Sequence, residues 1–336
     1  MTAAILKIDP HHPEPEFIKA AALTLQKEGL VAFPTETVYG LGALASSSVA
    51  VNRVYQAKSR PLTHPLIAHV SSVTMAQALT NTWPSIADLL THTFWPGPLT
   101  LILNKNQTVS KTITAGREAV AIRMPAHPVA LALIQTVGEA IVAPSANLYT
   151  EISPTQALHV SNKMQAQLDL ILDAGACMYG LESTVLDLTG PIPTILRPGA
   201  VSRTHLEAVI GTVACLSVKL SEQDTHACSG QSKKHYAPRA HVALVPCGNQ
   251  GVFNDRIIRT LQSKMRVGAI VHQVIPYVHP NAKIICLAQE PVSYAQHFYD
   301  ALHQLEYAGC SHIILEEVPQ GILWDAVRDR MTRAGG

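Results

Sequence analysis

FPTETVYGLGALASSSVAVNRVYQAKSRPLTHPLIAHV, residues 33–70, decides the reading of this chain. The apolar run Leu30 to Phe33 reads as a buried strand halted by Pro34. Thr35, Glu36 and Thr37 then place two hydroxyls and a carboxylate where the chain must turn. Ser46, Ser47 and Ser48 offer N-cap oxygens to a helix carrying Val51, Val54 and Tyr55 on one face, and Pro61 ends it. Its exit delivers Lys58 and Arg60, a mobile point charge beside a planar fork, a pairing suited to an anion with several oxygens. The same cations would favour the helix dipole if merely solvated. A further strand is expected at Pro65 to Val70, and its His69 reads equally as a core residue with satisfied nitrogens.

Before this stretch, residues 16–28 have helical periodicity ended by Gly29. After it, strands are expected at Leu99–Leu103, Val120–Met124, Ile141–Ala143, Leu168–Leu172, Thr184–Leu188 and Thr194–Leu196, mostly separated by helical stretches. Thr189-Gly190-Pro191-Ile192-Pro193 joins the last two as a hairpin-like turn. Part of the sheet is then antiparallel, and the first domain is α+β with a twisted mixed β-sheet. After a helix near 202–210, periodicity fades through a run rich in Ser, Gly, Lys, His and Pro over 217–239. Beyond His241 come a strand (Val242–Pro246), a helix (Asn254–Met265), two strands (Val267–Val271, Lys283–Leu287), a helix (Ser293–Ala308), a strand (His312–Leu315) and a last helix (Leu323–Thr332). This alternation suggests a smaller, Rossmann-like α/β domain. The expected organisation is a catalytic domain over 1–214, a linker or lid over 215–239 and a C-terminal α/β domain over 240–336.

With 336 residues, 47% of them hydrophobic, the chain can bury a sizeable core. A net charge of +1 gives no general attraction to nucleic acid or anionic membrane, so a polyanion must be met by a local patch. The 6 cysteines are widely spaced without a CxxC pair, which argues against a disulfide framework and a zinc knuckle. The N-terminus has no apolar core of signal length, and charged or proline residues interrupt the later apolar runs, so a cytoplasmic protein is expected. His11-His12 sits in a proline-rich leader and reads as solvated. The GxxxxGK[ST] loop, GxGxxG, HExxH and GxSxG are absent, and Tyr39-Gly40-Leu41-Gly42 does not open a strand-to-helix phosphate turn.

Four later segments run from an apolar strand into small polar or cationic residues: Ala121-Ile122-Arg123-Met124-Pro125, Val142-Ala143-Pro144-Ser145-Ala146-Asn147, Leu181-Glu182-Ser183-Thr184-Val185 and Ile195-Leu196-Arg197-Pro198-Gly199. If the strand termini gather, Arg123, Ser145, Asn147, Ser183 and Arg197 line one cationic cleft with Lys58 and Arg60. Such a cleft suits a nucleoside triphosphate together with a small acid. Singly, the arginines also fit ion pairs with carboxylates, and the serines fit caps.

PTETVYGLG, AKSRP, HPLIAHV, FWPGPLT, AIRMP, APSAN, ESTV and RPG, in this order, resemble the YrdC-type L-threonylcarbamoyladenylate synthases, and the extra C-terminal unit resembles their long two-domain form. The resemblance covers nearly all of residues 15–336. It implies a YrdC-like domain that converts L-threonine, bicarbonate or CO2 and ATP to threonylcarbamoyl-AMP and pyrophosphate, feeding the threonylcarbamoyladenosine modification of tRNA. It assigns Lys58, Ser145, Ser153 and Arg197 to ATP, with the loop backbone at Leu62 as an addition, and Thr35, His69, Arg123, Ala143 and Ser183 to threonine or its carbamate. Arg60 and Asn147 would complete the phosphate site, and Lys58, Arg60 and Arg197 would neutralise charge developing there. In the HYAP element, His235-Tyr236-Ala237-Pro238, Tyr236 would fold back over the nucleotide. Gly230-Gln231-Ser232-Lys233-Lys234 departs from the family's Pro-Gly-Met-Lys-Tyr type of approach. Magnesium is expected with ATP, without a dedicated carboxylate cage, and a downstream tRNA threonylcarbamoyl-transfer enzyme would receive the product. Two other readings use the same cleft. One is an RNA-binding module, disfavoured by neutral charge and few stacking aromatics. The other is a hydrogenase-maturation carbamoyl adenylate enzyme, which would bring acylphosphatase and zinc-finger segments that this chain lacks.

Overall fold

The computed structural model describes residues 2–215, 235–262, 265–272 and 281–335. Strands β1 (Ala4–Lys7), β2 (Val31–Phe33), β3 (Gly40–Leu44), β4 (Ile67–His69), β5 (Leu99–Asn104), β6 (Ala119–Arg123), β7 (Ile141–Val142), β8 (Leu170–Asp173), β9 (Thr184–Asp187), β10 (Thr194–Arg197) and β11 (Ala214–Cys215) form one sheet. Their order is β1-β8-β2-β3-β7-β4-β6-β5-β9-β10-β11. Parallel pairs such as β4 with β6 and antiparallel ones such as β9 with β10 make it mixed.

Three strands were not expected, one of them the two-residue β11 that pairs parallel with β10. Ahead of the proline-rich leader lies β1, which pairs parallel with β8 along the sheet edge. The glycine-rich YGLG stretch, for which the sequence suggested no strand, leads into β3, antiparallel to β2. Its glycines have a packing reason: a Cβ on Gly42 would lie 2.9 Å from the Phe33 ring. The helix Ser48–Lys58 starts as the serines suggest, with Ser47 Oγ accepting from Ala50 N–H at 3.1 Å, a cap worth about 1 kcal/mol. It stops before Pro61, because Ser59 turns into the left-handed region at φ 52°. The expected Leu30 and Pro65–Val70 strands are shorter at their ends, which leaves Pro65 and Leu66 to the turn from that helix.

In the C-terminal domain β12 (His241–Val245), β13 (Val267–Val271), β14 (Ala282–Cys286) and β15 (His312–Glu316) form a separate, wholly parallel sheet in the order β12-β15-β13-β14. Its helices are Gln250–Gln262, Pro291–Tyr307 and Asp325–Gly335. The first begins before the expected Asn254, and the last follows a 3-10 turn at Ile322–Trp324. Residues 216–234, most of the expected linker, lie outside the described residues, and with them the departure at Gly230–Lys234.

The two domains meet through an apolar core. Val38, Ile152 and Leu181 of the first domain pack in one cluster with Tyr236, Tyr299 and Leu302. Gly180 permits this approach: its φ is +70°, and a Cβ there would lie 2.3 Å from the Gln296 carbonyl oxygen. Polar contacts flank the core. Lys163 Nζ reaches both Glu151 and Glu306, and Ala237 N–H donates to Thr150 O at 2.9 Å.

Candidate active site

The cavity bearing the predicted chemistry is small, about 40 Å³. Thr35, Arg60, His69, Arg123, Ala143, Ser145, Ser183, Arg197 and Tyr236 all line it, so nine of the residues singled out from the sequence converge. Strand termini gather there: Arg123 ends β6, Ala143 and Ser145 follow β7, Ser183 precedes β9 and Arg197 ends β10. β7 runs antiparallel to β4, so Ala143 meets Ile67, at the start of β4, through its N–H. Ile67 and His69, two apart on β4, both line the cavity, which therefore lies across one face of the sheet. A larger cleft of about 570 Å³ opens between the domains beside Leu196, Cys215, Val292 and Leu323. Of the predicted site residues it has none on its walls, so chemistry rather than size selects the smaller cavity.

Lys58 and Asn147 stand just behind the wall. Lys58 Nζ donates to Ser145 O and Asn147 O, both at 2.5 Å, and to Asn147 Oδ1 at 3.2 Å. Burial, then Arg60, pulls its pKa well below the usual lysine value. Three acceptors nevertheless require three donated hydrogens, which only the ammonium has, so the charged form is the one the geometry holds. Arg60 lies nearby, donating to His64 O and Pro65 O and sitting 5.8 Å from the Tyr149 ring centroid. Arg197, at the end of β10, grips the start of β9: Nε and Nη2 donate to Ser183 O at 3.1 and 3.0 Å, and Nη2 to Ser183 Oγ at 3.1 Å. Thr100 and Ser183 hydroxyls lie 2.8 Å apart.

On the other side, His69 Nδ1 donates to Ile67 O at 3.2 Å, leaving Nε2 as an acceptor. Burial, then Arg123, holds this imidazole neutral, with a pKa of about 3. Arg123 is paired with a second buried group, Glu36, at 2.6 Å. The sequence offered Glu36 only as a turn carboxylate; the pair spans 87 residues and has no local signal. Glu36 Oε2 is buried without a partner among the described residues, an open acceptor beside the cavity. Thr35 Oγ1 donates to Val38 O at 2.6 Å and accepts from the Thr37 and Val38 amides, so its first role is to fix the turn.

Three predicted positions are placed differently. Leu62 is 60% exposed and outside the cavity, because the turn after the helix projects it to the surface. Ser153 is buried behind the wall and donates to Glu182 Oε1 at 2.5 Å. Tyr236, with φ 56°, is part of the wall itself, its hydroxyl 3.4 Å from Arg197 Nη1. A volume of about 40 Å³ is far below the roughly 300–1,000 Å³ of a small-molecule site. His235 and Tyr236 both form part of the wall of this small cavity. The residue that sequence reasoning passed over is Glu182. Its carboxylate also meets Tyr299 at 3.2 Å and Arg330 at 2.8 Å, both from the C-terminal domain. An acid between Leu181 and Ser183 was the available signal; its distant partners were not.

A family model described as "Telomere recombination", covering Sua5, YciO and YrdC, matches residues 23–199. One described as "Threonylcarbamoyl-AMP synthase, C-terminal domain" matches 201–336. Threonylcarbamoyl-AMP synthase of Bacillus subtilis is 40% identical over 96% of this chain and 94% of its own. Its counterpart in Pyrococcus abyssi is 37% identical over 95% and 94%. The crystal structure of P. abyssi Sua5 complexed with L-threonine superposes with a TM-score of 0.94 at 36% identity, covering 99% of this chain and 98% of that one. With the two models matching adjoining stretches and the relatives aligned across both domains, this chain belongs to the Sua5/YciO/YrdC family in its two-domain Sua5 form.

Proposed function

We propose that the chain is an L-threonylcarbamoyladenylate synthase, a nucleotidyltransferase that makes threonylcarbamoyl-AMP and pyrophosphate from L-threonine, bicarbonate or CO2 and ATP. The observation that carries this reading is the convergence of Arg60, Arg123 and Arg197, with Lys58 behind Ser145, on one closed cavity that also holds a neutral His69.

In this reading Arg123 takes the threonine carboxylate while still paired to Glu36, and Thr35, Ala143 and Ser183 shape the pocket for the side chain. His69 Nε2, an acceptor, meets a donor of the amino acid. The amine reacts with CO2, releasing a proton, or with bicarbonate, releasing water, to give a carbamate. A carbamate oxygen attacks the α-phosphorus of ATP, and the bond to pyrophosphate breaks. Lys58, Arg60 and Arg197 offset the repulsion between the two anions and the charge developing on the leaving group, and Ser145, Ser153 and Asn147 fix the backbone that holds them. No side chain becomes covalently bonded. Among the described residues there is no cluster of three or more His, Cys, Asp or Glu to hold a resident ion, so magnesium is treated as part of the substrate, MgATP. Tyr236, once displaced by nucleotide and closed again, shields a hydrolysable mixed anhydride from water. The product passes to a tRNA threonylcarbamoyl-transfer enzyme in the cytoplasm. No helix among the described residues is long and apolar enough to cross a membrane.

The test is pyrophosphate release from ATP and bicarbonate with threonine present or omitted. Release that ignores threonine, or none, refutes the reading.

A further inference from the structure

Glu182 is the only carboxylate among the described residues lining the small cavity, and it is almost wholly buried. Its neighbour Ser183 supplies the carbonyl and hydroxyl that Arg197 holds. The cation that answers Glu182 comes from the other domain. Arg330, on the last helix, has a fully buried side chain and donates from Nε to Glu182 Oε2 at 2.8 Å. Its Nη1 bonds Asp329, and its guanidinium carbon stands 5.0 Å from the Tyr236 ring centroid. The other ionisable groups facing Glu182 are Arg197, Lys58, Tyr236 and Tyr299.

We propose that Arg330 is a positioning residue for the catalytic centre: by neutralising Glu182 it leaves Arg197 available to the phosphates, so the C-terminal domain completes the site electrostatically. The proposal rests on the synthase reading above. A buried carboxylate without its partner is costly and recruits whatever cation is near. Here the candidates are Arg197 and Lys58, the two groups assigned to ATP. Burial alone would raise the Glu182 pKa, and Arg330 followed by Arg197 brings it below the ordinary glutamate value. Without Arg330, acid should therefore protonate Glu182 and release Arg197.

The experiment uses the full chain: wild type, Arg330→Met, Arg330→Lys and the double variant Glu182→Gln, Arg330→Met, assayed for threonine-dependent pyrophosphate release from pH 8 to 6 at equal folded fraction. Arg330→Met should lose about tenfold or more in kcat/KM for ATP at pH 8, with the gap to wild type narrowing several-fold by pH 6. Arg330→Lys, which keeps the charge, should retain most activity. The double variant should recover most of what Arg330→Met loses and show no narrowing. A ratio to wild type that stays flat across pH, a double variant no better than Arg330→Met, or full activity in Arg330→Met overturns the proposal. Should Arg330→Met fail to fold, the double variant decides, since it leaves no unpaired buried charge; a tenfold or greater loss in it overturns the proposal. Absence of threonine-dependent release in the wild type refutes the synthase reading itself, and this proposal with it.

Discussion

Replacing Lys58 by methionine removes a buried ammonium while keeping its stem, and the structure sets the size of two opposed effects. Nζ satisfies Ser145 O, Asn147 O and Asn147 Oδ1, and a buried acceptor left unmet costs about 1–3 kcal/mol. The wild type in turn bears the cost of burying a charge, seen in the depressed lysine pKa, and the variant is relieved of it. The two oppose each other, so net destabilisation should stay within about 2 kcal/mol, and Tm should fall by less than about 8 °C at 2–4 °C per kcal/mol. Catalysis has no such offset. With its three hydrogens already donated to Ser145 and Asn147, the ammonium acts on the developing charge through its field from behind the wall, worth about 1–3 kcal/mol, so turnover should fall about 10–100-fold. The assay is pyrophosphate release beside a thermal melt and ATP titration. Activity within about threefold of wild type, or a loss that merely follows the folded fraction, would refute the phosphate role.

Arg197→Ala should also lower turnover about a hundredfold, with weakened ATP binding in calorimetry as its companion; unaltered ATP affinity sinks the assignment. Serine should be turned over in place of threonine with a partial penalty of about 1–3 kcal/mol for the missing methyl, and equal kcat/KM for the two in competition counts against a side-chain pocket near Thr35 and Ser183. Gly180→Ala forces a Cβ onto the Gln296 backbone at a positive φ, so the domain interface should loosen, read as a lower Tm and faster proteolysis between the domains; a wild-type melt speaks against the packing described. Stability should fall with acid. His69 and His303 are held at about 3 against 6.5 when unfolded, chiefly by burial, so the unfolded chain binds more protons as pH drops from 6.5 towards 3. At pH 5.5 each costs about 1.4 kcal/mol, His303→Gln should remove its own share of that slope, and a Tm flat from pH 7.5 to 5.5 excludes neutral burial of both.

Much of the core was legible because apolar periodicity is local. β4 and β9 lie within the runs that suggested them, β6 and β10 match theirs to within one residue at an end, and the serines before Val49 marked a helix start that Ser47 provides. β3 was hidden because its glycines lack the side chains that signal a strand; their reason is the Phe33 ring on the neighbouring strand. β1 was hidden because its four residues, Ala4-Ile5-Leu6-Lys7, are too few to show a period and its pairing with β8 is long-range.

The sequence by itself determined the list of chemical groups: cations after the helix at Lys58 and Arg60, at the ends of β6 and β10, and hydroxyls beside them. Each group was visible because it follows a strand or helix whose own pattern is short-range. Only the tertiary structure decided their partners and their protonation. Glu36 neutralises Arg123 across 87 residues, and Glu182 meets Arg330 across 148. Burial beside Arg123 makes His69 neutral, and burial against the C-terminal domain makes Glu182 dependent on its cation. Charge state follows solvent exclusion and the nearest opposite charge, and neither is a property of neighbours in sequence.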